Sequence, residues 1–286
     1  MHRILSLLIV LAFTSRGHTQ IGGEHIYEFL NFSPSARVTA LGGSLITVKD
    51  DDLALGLDNP ASINPDQHQA ITFNHNFHLA KIQTGYVAYG NYFEKLETTF
   101  SFGIQYVNYG DFIRTDEFGN EAGTFDANEF AVTIGAGRQL YDKVCVGANL
   151  KFISSTLEAF NSYGVSLDLG AHYNDPEKRF TAAFVIKNIG SQITTYRDGL
   201  RESIPFEIQL GISKRLENLP FRFSIIAHKL ETPNLNYDNP AQIQDRLFFG
   251  EEPQDQSGFN AWLDNIFKHL IFNGEFFIGK NENFRL

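Results

Sequence analysis

The chain has 286 residues, of which 43% are hydrophobic and 14% aromatic, including 27 phenylalanines. This composition excludes an intrinsically disordered protein. The formal net charge of −10 leaves no basic surface for phosphate groups, so we do not expect a nucleic-acid partner. The single cysteine, Cys145, excludes a disulfide scaffold.

The first 19 residues have the pattern of a secretory signal peptide. Arg3 supplies the charged region, Ile4–Phe13 the apolar region, and Gly17 and Thr19 are small residues before a cleavage site at Gln20. The apolar run is too short for a helix that spans a membrane, which needs ~20 residues. We therefore predict that residues 1–19 are removed and that the protein is exported.

Strict alternation of apolar and polar residues dominates residues 68–286, and it is clearest in Thr98–Tyr109. A soluble β-sandwich also alternates, but it must bury its apolar face in its own core. Most of the alternating segments match the ~9 to 11 residues of a tilted transmembrane strand. We predict ten strands, near residues 69–77, 83–93, 98–109, 128–139, 143–155, 163–173, 180–188, 205–213, 221–229 and 270–278.

Six charged residues of these strands can all be placed on the polar face of the alternation. On a lipid-facing surface at mid-depth, a lysine or arginine would cost roughly 2 to 4 kcal/mol. In the lumen of a barrel, water or an opposite charge stabilises it. The residues concerned are Lys151, Asp168, Lys187, Glu207, Arg222 and Glu275.

The links between strands alternate in length, as they do in outer-membrane barrels with short periplasmic turns and longer external loops. The first external link, His78–Ile82, is a short exception. The predicted short links are Glu94–Glu97, Leu140–Asp142, Asn174–Lys178 and Lys214–Leu219. The predicted long links are Gly110–Ala127, Ile189–Ile204 and Leu230–His269.

The last residues, Phe284–Leu286, read as the start of an eleventh strand. Bacterial single-chain barrels have an even number of strands and leave no open edge in lipid. We therefore expect residues 68–286 to be a transmembrane barrel that is incomplete at its C-terminal end.

Residues 20–67 are too mixed in composition for a strand array, and we predict a partly helical plug or periplasmic segment. Ser33–Ser35 form a helix-start signal before Ala36–Leu41, and Gly42 and Gly43 end that helix. A second short helix is expected at Leu53–Leu57, before the turn Asn59–Ala61.

Three features in the sequence could carry chemistry. Asp50–Asp52 could bind a cation, but the spacing of a calcium loop is absent, and we favour a solvated turn that caps the next helix. His75 and His78 fall on opposite faces of a strand end, which argues against a shared metal. Cys145 is interpreted as a packed thiol, since Lys143 alone is a weak hint of activation.

No nucleophile elbow, phosphate-binding glycine loop or paired-carboxylate pattern occurs in the sequence. We therefore predict no catalytic, cofactor-binding or metal-binding residues and no cofactor.

The segment Asn260–Leu270 has apolar residues at near-helical spacing, which predicts an amphipathic helix inside the longest loop. Its apolar face could dock a partner or lie in the plane of a membrane interface. Alternatively, it is a lid that packs its aromatic side chains on the rim of the barrel. The sequence leaves these alternatives open.

The mature chain resembles the PorV/PorQ group of outer-membrane proteins of the type IX secretion system, a group similar to FadL-type barrels. The stretches that carry the resemblance include SARVTALGG, GIQYVNYGDFIRTDEFGN, VGANLKFISSTLE and PFEIQLGISKRL. The family-typical positions are Ala36, Arg37, Ala40, Gly42, Gly43, Asn59, Pro60 and Ala61.

The resemblance implies an antiparallel barrel of about 14 strands when complete, integral to the bacterial outer membrane. It further implies a non-enzymatic subunit that takes part in the export of cargo proteins with C-terminal signal domains. The implied partners are other type IX secretion components, the cargo and the lipid bilayer. The alternative function is a FadL-like transporter for hydrophobic small molecules, and an outer-membrane esterase is a third.

Overall fold

The alternating segments form one antiparallel sheet in which each strand pairs with its neighbours in the chain. The computed structural model describes residues 25–197, 199–235, 258–278 and 284–285. The signal peptide predicted at residues 1–19 lies outside this range. No helix among the described residues is long and apolar enough to cross a membrane.

Ten long strands and one two-residue strand make up the sheet. The strands are β1 (Ile71–Phe77), β2 (Gln83–Phe93), β3 (Thr98–Thr115), β4 (Glu121–Tyr141), β5 (Val144–Leu157), β6 (Phe160–Asp175), β7 (Phe180–Thr194), β8 (Glu207–Arg215), β9 (Phe221–Ala227), β10 (Leu270–Ile278) and β11 (Phe284–Arg285). The helices are α1 (Ala36–Ala40) and α2 (Phe259–Lys268). Short 3₁₀ turns occupy Glu28–Asn31, Leu53–Leu57, Pro60–Ser62, Pro65–Gln67, Leu79–Lys81 and Glu94–Leu96.

The two faces of the sheet differ sharply in polarity, and the apolar face is the exposed one. Each of β1–β10 exposes large apolar side chains, for example Phe73, Val87, Phe102, Ile134, Phe152, Leu169, Phe184, Leu210, Phe223 and Phe272. The opposite face is buried and polar from β2 to β10, for example at Thr84, Gln105, Thr133, Lys151, Asp168, Lys187, Gln209, Ser224 and Asn273. We call these the outer and the inner face.

The link predicted at Gly110–Ala127 is wrong, because β3 and β4 continue through it as a paired extension with a turn at residues 116–120. Gly110 has a positive φ of 75° and lies at a register shift, which absorbs an irregularity without ending the strand. Beyond the shift, Phe112 and Phe125 stack with ring centroids 5.2 Å apart.

The alternation of loop lengths is consequently weaker than predicted. β5 and β6 are joined by residues 158–159 alone, and the link between β7 and β8 begins only at residue 195. Two long links remain, residues 195–206 and 228–269, and both leave the same end of the sheet. We call this the long-loop end, and the opposite end the short-turn end.

Residues 25–67 pack against the inner face of the sheet. Near the long-loop end, Tyr27 and Phe29 form a core with Val107 and Ile153 of the wall. Near the short-turn end, the wall approaches so closely that a side chain at Gly147 would collide with Pro60 O. We call residues 25–67 the inner segment, and its packing explains why polar side chains on the inner face are buried.

The inner segment touches the first strand and the last long strand of the described sheet. Asn76 of β1 donates from Nδ2 to Pro34 O at 2.8 Å. Asn273 of β10 donates from Nδ2 to Ser44 O at 2.9 Å. A stretch of about ten residues therefore bridges β1 and β10, so the sheet curls around the inner segment.

The eleven strands of the described residues differ from the fourteen expected of a complete FadL-type barrel. Among the described strands, β1 pairs only with β2, and β11 pairs only with β10. What the structure establishes is an all-β chain with one curled antiparallel sheet and few helices.

Candidate functional site

Helix α1 begins and ends where the sequence predicts, within one residue, and its caps fix its place on the inner face. The Ser35 hydroxyl accepts a hydrogen bond from Val38 N, as an N-cap does. After Leu41 the chain turns through Gly42 and Gly43, whose φ values are 83° and 86°, and Gly43 N donates to Val38 O at 2.9 Å. The left-handed conformation of these two glycines lets the backbone supply a hydrogen bond to a carbonyl group at the end of the helix.

Arg37 leaves this short helix toward the sheet and is the centre of a charge cluster. Its guanidinium lies 3.0 Å from Asp50, 3.4 Å from Asp52 and 2.9 Å from Glu275 of β10. Glu275 also accepts from Arg222 Nε of β9 at 2.8 Å. We call these five residues the Arg37 cluster, and it joins the inner segment to two wall strands.

The electrostatics of Arg37 favour its charged form. Burial by itself lowers its pKa, but Asp50 and then Glu275 outweigh that effect and raise the pKa above its usual value. Glu275 is almost fully buried between two guanidinium groups. Removing either arginine would therefore leave Glu275 with one counter-charge fewer in a site that water barely reaches.

The Asp50–Asp52 segment caps a helix, as predicted, and two of its carboxylates also pair with Arg37. Asp52 Oδ1 accepts from Ala54 N at 3.0 Å at the start of the turn Leu53–Leu57. Among the described residues, no group of three histidine, cysteine or acidic side chains has metal-binding geometry.

A second polar cluster lies deeper along the inner face, where β7 carries a bulge. The pairing of β6 with β7 shifts register between Leu167 and Leu169, and Asn188 has a positive φ of 57°. A bulge places two residues opposite one. Lys187 and Asn188 therefore both face the interior opposite Asp168, and Asn188 N donates to Asp168 Oδ1 at 2.8 Å.

This interior cluster pairs each buried lysine with a carboxylate. Lys151 Nζ lies 2.7 Å from Asp168 Oδ2 and donates to Asn188 Oδ1 at 3.0 Å. Lys187 Nζ lies 3.8 Å from Asp58 Oδ1 of the inner segment. The interior cluster, defined as these five residues, thus spans β5, β6, β7 and the inner segment.

Asp58 is the residue that the inner segment contributes to the interior cluster, and its carboxyl group is titratable. Burial raises the pKa of Asp58 from 3.8 to about 6, and the positive charges of Lys187 and Lys151 only partly offset the effect. Asp58 Oδ2 has no hydrogen-bond partner. Asp58 therefore carries an incompletely compensated charge at neutral pH.

The space beside the interior cluster is small. A cavity of about 10 Å³ is lined by Leu30, Pro34, Asp58, Gln105 and Lys187, among others. That is room for roughly one water molecule.

The remaining candidates from the sequence are placed apart from one another. His75 Nδ1 lies 2.7 Å from Tyr106 Oη, and His78 Nε2 lies 3.0 Å from Thr84 Oγ1, so the two imidazoles do not share a partner. Cys145 is buried on the inner face, as predicted.

The lysine that contacts the thiol is not the one that is close to it in the sequence. The lysine beside Cys145 Sγ is Lys49 of the inner segment, at 3.0 Å. Lys143, which is close in sequence, instead pairs with Asp175 at 2.9 Å. The inward alternation of β5 located Cys145, but no local signal indicated a lysine 96 positions earlier in the chain.

The six charged residues predicted for the polar face do lie on the inner face, and five of them belong to the two clusters or pair with them. The partners they meet in the inner segment, Arg37 and Asp58, were not recognised as such in the sequence. Both clusters are built of paired or hydrogen-bonded charges, so what they do chemically is hold the inner segment against the wall.

Comparison of the chain with models of known protein families and with curated proteins finds no match.

Proposed function

We propose that this chain is an integral outer-membrane β-barrel protein and a non-enzymatic subunit of the type IX secretion system. The observation that carries the membrane part of the proposal is the polarity of the sheet, whose large apolar side chains are exposed while charged side chains in the middle of its strands, such as Lys151, Asp168 and Lys187, are buried. In water such a face would expose far more apolar surface than a monomeric soluble protein tolerates. In a bilayer it is the favourable arrangement.

The dimensions of the strands support the same proposal. The nine-residue strand β10, Leu270–Ile278, and the eleven-residue strand β2, Gln83–Phe93, match the ~9 to 11 residues of a tilted transmembrane strand. The sheet curls around the inner segment, and a curled sheet can close into a barrel when further strands are added. The closed form of about 14 strands is part of this proposal.

The secretion part of the proposal rests on resemblance. The stretches typical of the PorV/PorQ group, from SARVTALGG to PFEIQLGISKRL, run along most of the chain after residue 19. The inner segment covers the inner face of the sheet. This suits a subunit that works by contacting partner proteins through its other surfaces. The proposed partners are other type IX components and exported cargo.

Deleting the gene in the bacterium that carries it tests the proposal. We expect cargo with C-terminal signal domains to be lost from the medium, and the wild-type gene to restore it. Undiminished secretion by the deletion strain would contradict the function in secretion.

The membrane part has its own test in a pair of matched variants. Phe102→Glu places a charge on the outer face in mid-strand and should abolish recovery of the protein in the outer-membrane fraction. Phe118→Glu places the same charge in the exposed turn of the β3–β4 extension and should leave recovery unchanged. Equal recovery of both variants would argue against a lipid-facing sheet.

A second function, a transporter for hydrophobic small molecules of the FadL type, is favoured by one observation. Besides apolar packing, two buried charge clusters hold the inner segment to the wall, and charged groups regain water when they separate, which lowers the cost of moving the segment. A transporter would have to move this segment, since the cavity beside Asp58 and Lys187 is too small for a substrate. Uptake of labelled fatty acid by vesicles that contain the protein would distinguish this function from the first.

A further inference from the structure

Helix α2 lies at the long-loop end of the sheet, directly before β10. It ends at Lys268, and β10 begins at Leu270, so the helix lies at the rim of the sheet, where the strands end. The sequence left open whether its apolar face is a lid on the rim or faces away from the protein.

Hydrogen bonds hold helix α2 against the loop that follows β9. Asn265 donates from Nδ2 to Pro233 O and accepts at Oδ1 from Leu235 N, both at 2.8 Å. At its C-terminal end, Lys268 O lies 3.1 Å from His228 Nε2. These contacts involve only the loop after β9 and hold one side of the helix.

The apolar side chains of α2 form a stripe that the protein covers only in part. Trp262, Leu263, Ile266 and Phe267 recur at spacings of three and four residues, so they share one face of the helix. Leu263 and Ile266 are half-buried, whereas Trp262 is 58% exposed and Phe267 is 59% exposed. A lid would bury these two aromatic side chains, which are its largest.

The stripe is continuous with the outer face of the sheet. The ring of Phe267 lies 6.5 Å from the ring of Phe272, measured between centroids, and Phe272 is one of the exposed side chains of β10. Phe276 and Ile278 continue the same exposed row along the strand. The helix therefore extends the apolar outer face at the level where the strands end.

We propose that α2 is an interfacial anchor that lies in the surface of the lipid layer at the long-loop end of the sheet. Trp262 and Phe267 enter the boundary between headgroups and acyl chains. Asp264 and Lys268, paired at 2.6 Å, stay on the watery side. This inference rests on the proposed membrane location, because it is the lipid-facing sheet that sets the depth of the helix.

Lipid is the occupant that fits these observations, in preference to a protein partner. Tryptophan is enriched at membrane interfaces because its ring is apolar while its N–H group reaches water. Amphipathic helices that lie in an interface combine such aromatic residues with a polar opposite face. A surface that is continuous with lipid-facing strands meets the same lipid layer.

The chain contains a single tryptophan, so Trp262 is a natural reporter of its own surroundings. The full chain is reconstituted in phosphatidylcholine vesicles whose acyl chains carry bromine atoms either near the headgroup or near the bilayer centre. We expect shallow bromines to quench Trp262 more than deep ones, and soluble acrylamide to quench it weakly. Strong quenching by acrylamide alone would overturn the proposal.

Two reporter variants separate this inference from the membrane location itself. Trp262→Phe with Phe102→Trp moves the only tryptophan to the middle of the outer face, where deep bromines should quench it. Trp262→Phe with Phe118→Trp moves it to an exposed turn, where acrylamide alone should quench it.

The pattern of results assigns each failure to its cause. If the Phe102→Trp reporter is insensitive to bromines, the proposed membrane location fails. If that reporter responds while Trp262 responds to neither bromines nor acrylamide, Trp262 is covered by protein, and the anchor alone is overturned.

Discussion

Asp58 connects the chemistry of a single carboxylate to the stability of the whole inner segment. Its surroundings combine the attraction of Lys187 and Lys151 with the repulsion of Glu207 and Asp52, while burial disfavours its charge most of all. The raised pKa means that the folded protein binds a proton here more tightly than the unfolded chain does. The stabilising contribution of the protonated group is present below pH 3.8 and is lost as the pH rises through about 6.

The first prediction concerns this residue. Asp58→Asn removes the titration, so the stability of the variant relative to the wild type should rise between pH 3.8 and about pH 6 and level off above that, at a gain of about 3 kcal/mol. The unfolding free energy of both proteins, measured in detergent across this pH range, provides the comparison.

Asp66→Asn is the matched control, because Asp66 is an exposed acidic residue of the same inner segment. It should leave the pH dependence of unfolding as it is in the wild type. A constant difference between wild type and Asp58→Asn at every pH would refute the role of Asp58 as a titrating group.

At the scale of secondary structure, the β3–β4 extension is the element that departs furthest from the sequence pattern. Gly110, Gly119 and Gly123 interrupt the alternation, and glycine weakens a strand. The extension nevertheless pairs because Phe112 and Phe125 stack across it and Asp116 closes its turn with bonds from Phe118 N and Asn120 N. Local propensity is here outweighed by cross-strand contact.

The second prediction follows from that contact. Phe125→Ser removes an aromatic pair worth roughly 0.5 to 1 kcal/mol, and the extension should open more often than the wall below it. Trypsin should then cut after Arg114 several times faster, while the global unfolding midpoint stays the same. Phe118→Ser, in the exposed turn, should leave the cleavage rate near that of the wild type.

If the Phe125→Ser substitution also lowered the global unfolding midpoint, the extension would unfold together with the rest of the sheet, and the prediction would be wrong. Cleavage is followed by gel electrophoresis on protein in detergent, and the midpoint by circular dichroism.

At the scale of the whole molecule, the inner segment connects β1 with β10, through Asn76 on one side and Asn273 and Glu275 on the other. This arrangement constrains the curvature of the sheet more directly than the pairing of neighbouring strands does.

The third prediction tests this geometry with engineered disulfides in a Cys145→Ala background. The pairs Pro34→Cys with Asn76→Cys and Ser44→Cys with Asn273→Cys should both be joined, by a disulfide or by a short bifunctional thiol reagent, because in each pair the asparagine side chain reaches the main-chain oxygen of the other residue. The control pair Ser44→Cys with Asn76→Cys should not. Cross-links appear as mobility shifts on non-reducing gels, and cross-linking of the control pair in place of the two expected pairs would contradict the curl.

The strands were predictable because their signal is local. The alternation around Phe100 and Phe102 indicates a strand whatever lies elsewhere in the chain, and the caps of α1 at Ser35 and Gly43 are also local. The inward direction of Lys151 followed from the same alternation.

The contacts of the inner segment were not predictable, because they join positions far apart in the sequence. Arg37 meets Glu275 across 238 positions, and Lys49 meets Cys145 across 96. The bulge that turns Asn188 inward has no compositional mark either. The alternation in a single sequence predicts which face of the sheet a side chain lies on. Which residue it contacts there depends on the tertiary packing.

The bridge from Arg37 to Glu275 has a consequence for the order of assembly. Arg37 can pair with Asp50 and Asp52 within the inner segment alone. Glu275, in contrast, is balanced in its buried position only when β10 meets both Arg37 and Arg222. We therefore expect the packing of β10 and the docking of the inner segment to depend on each other.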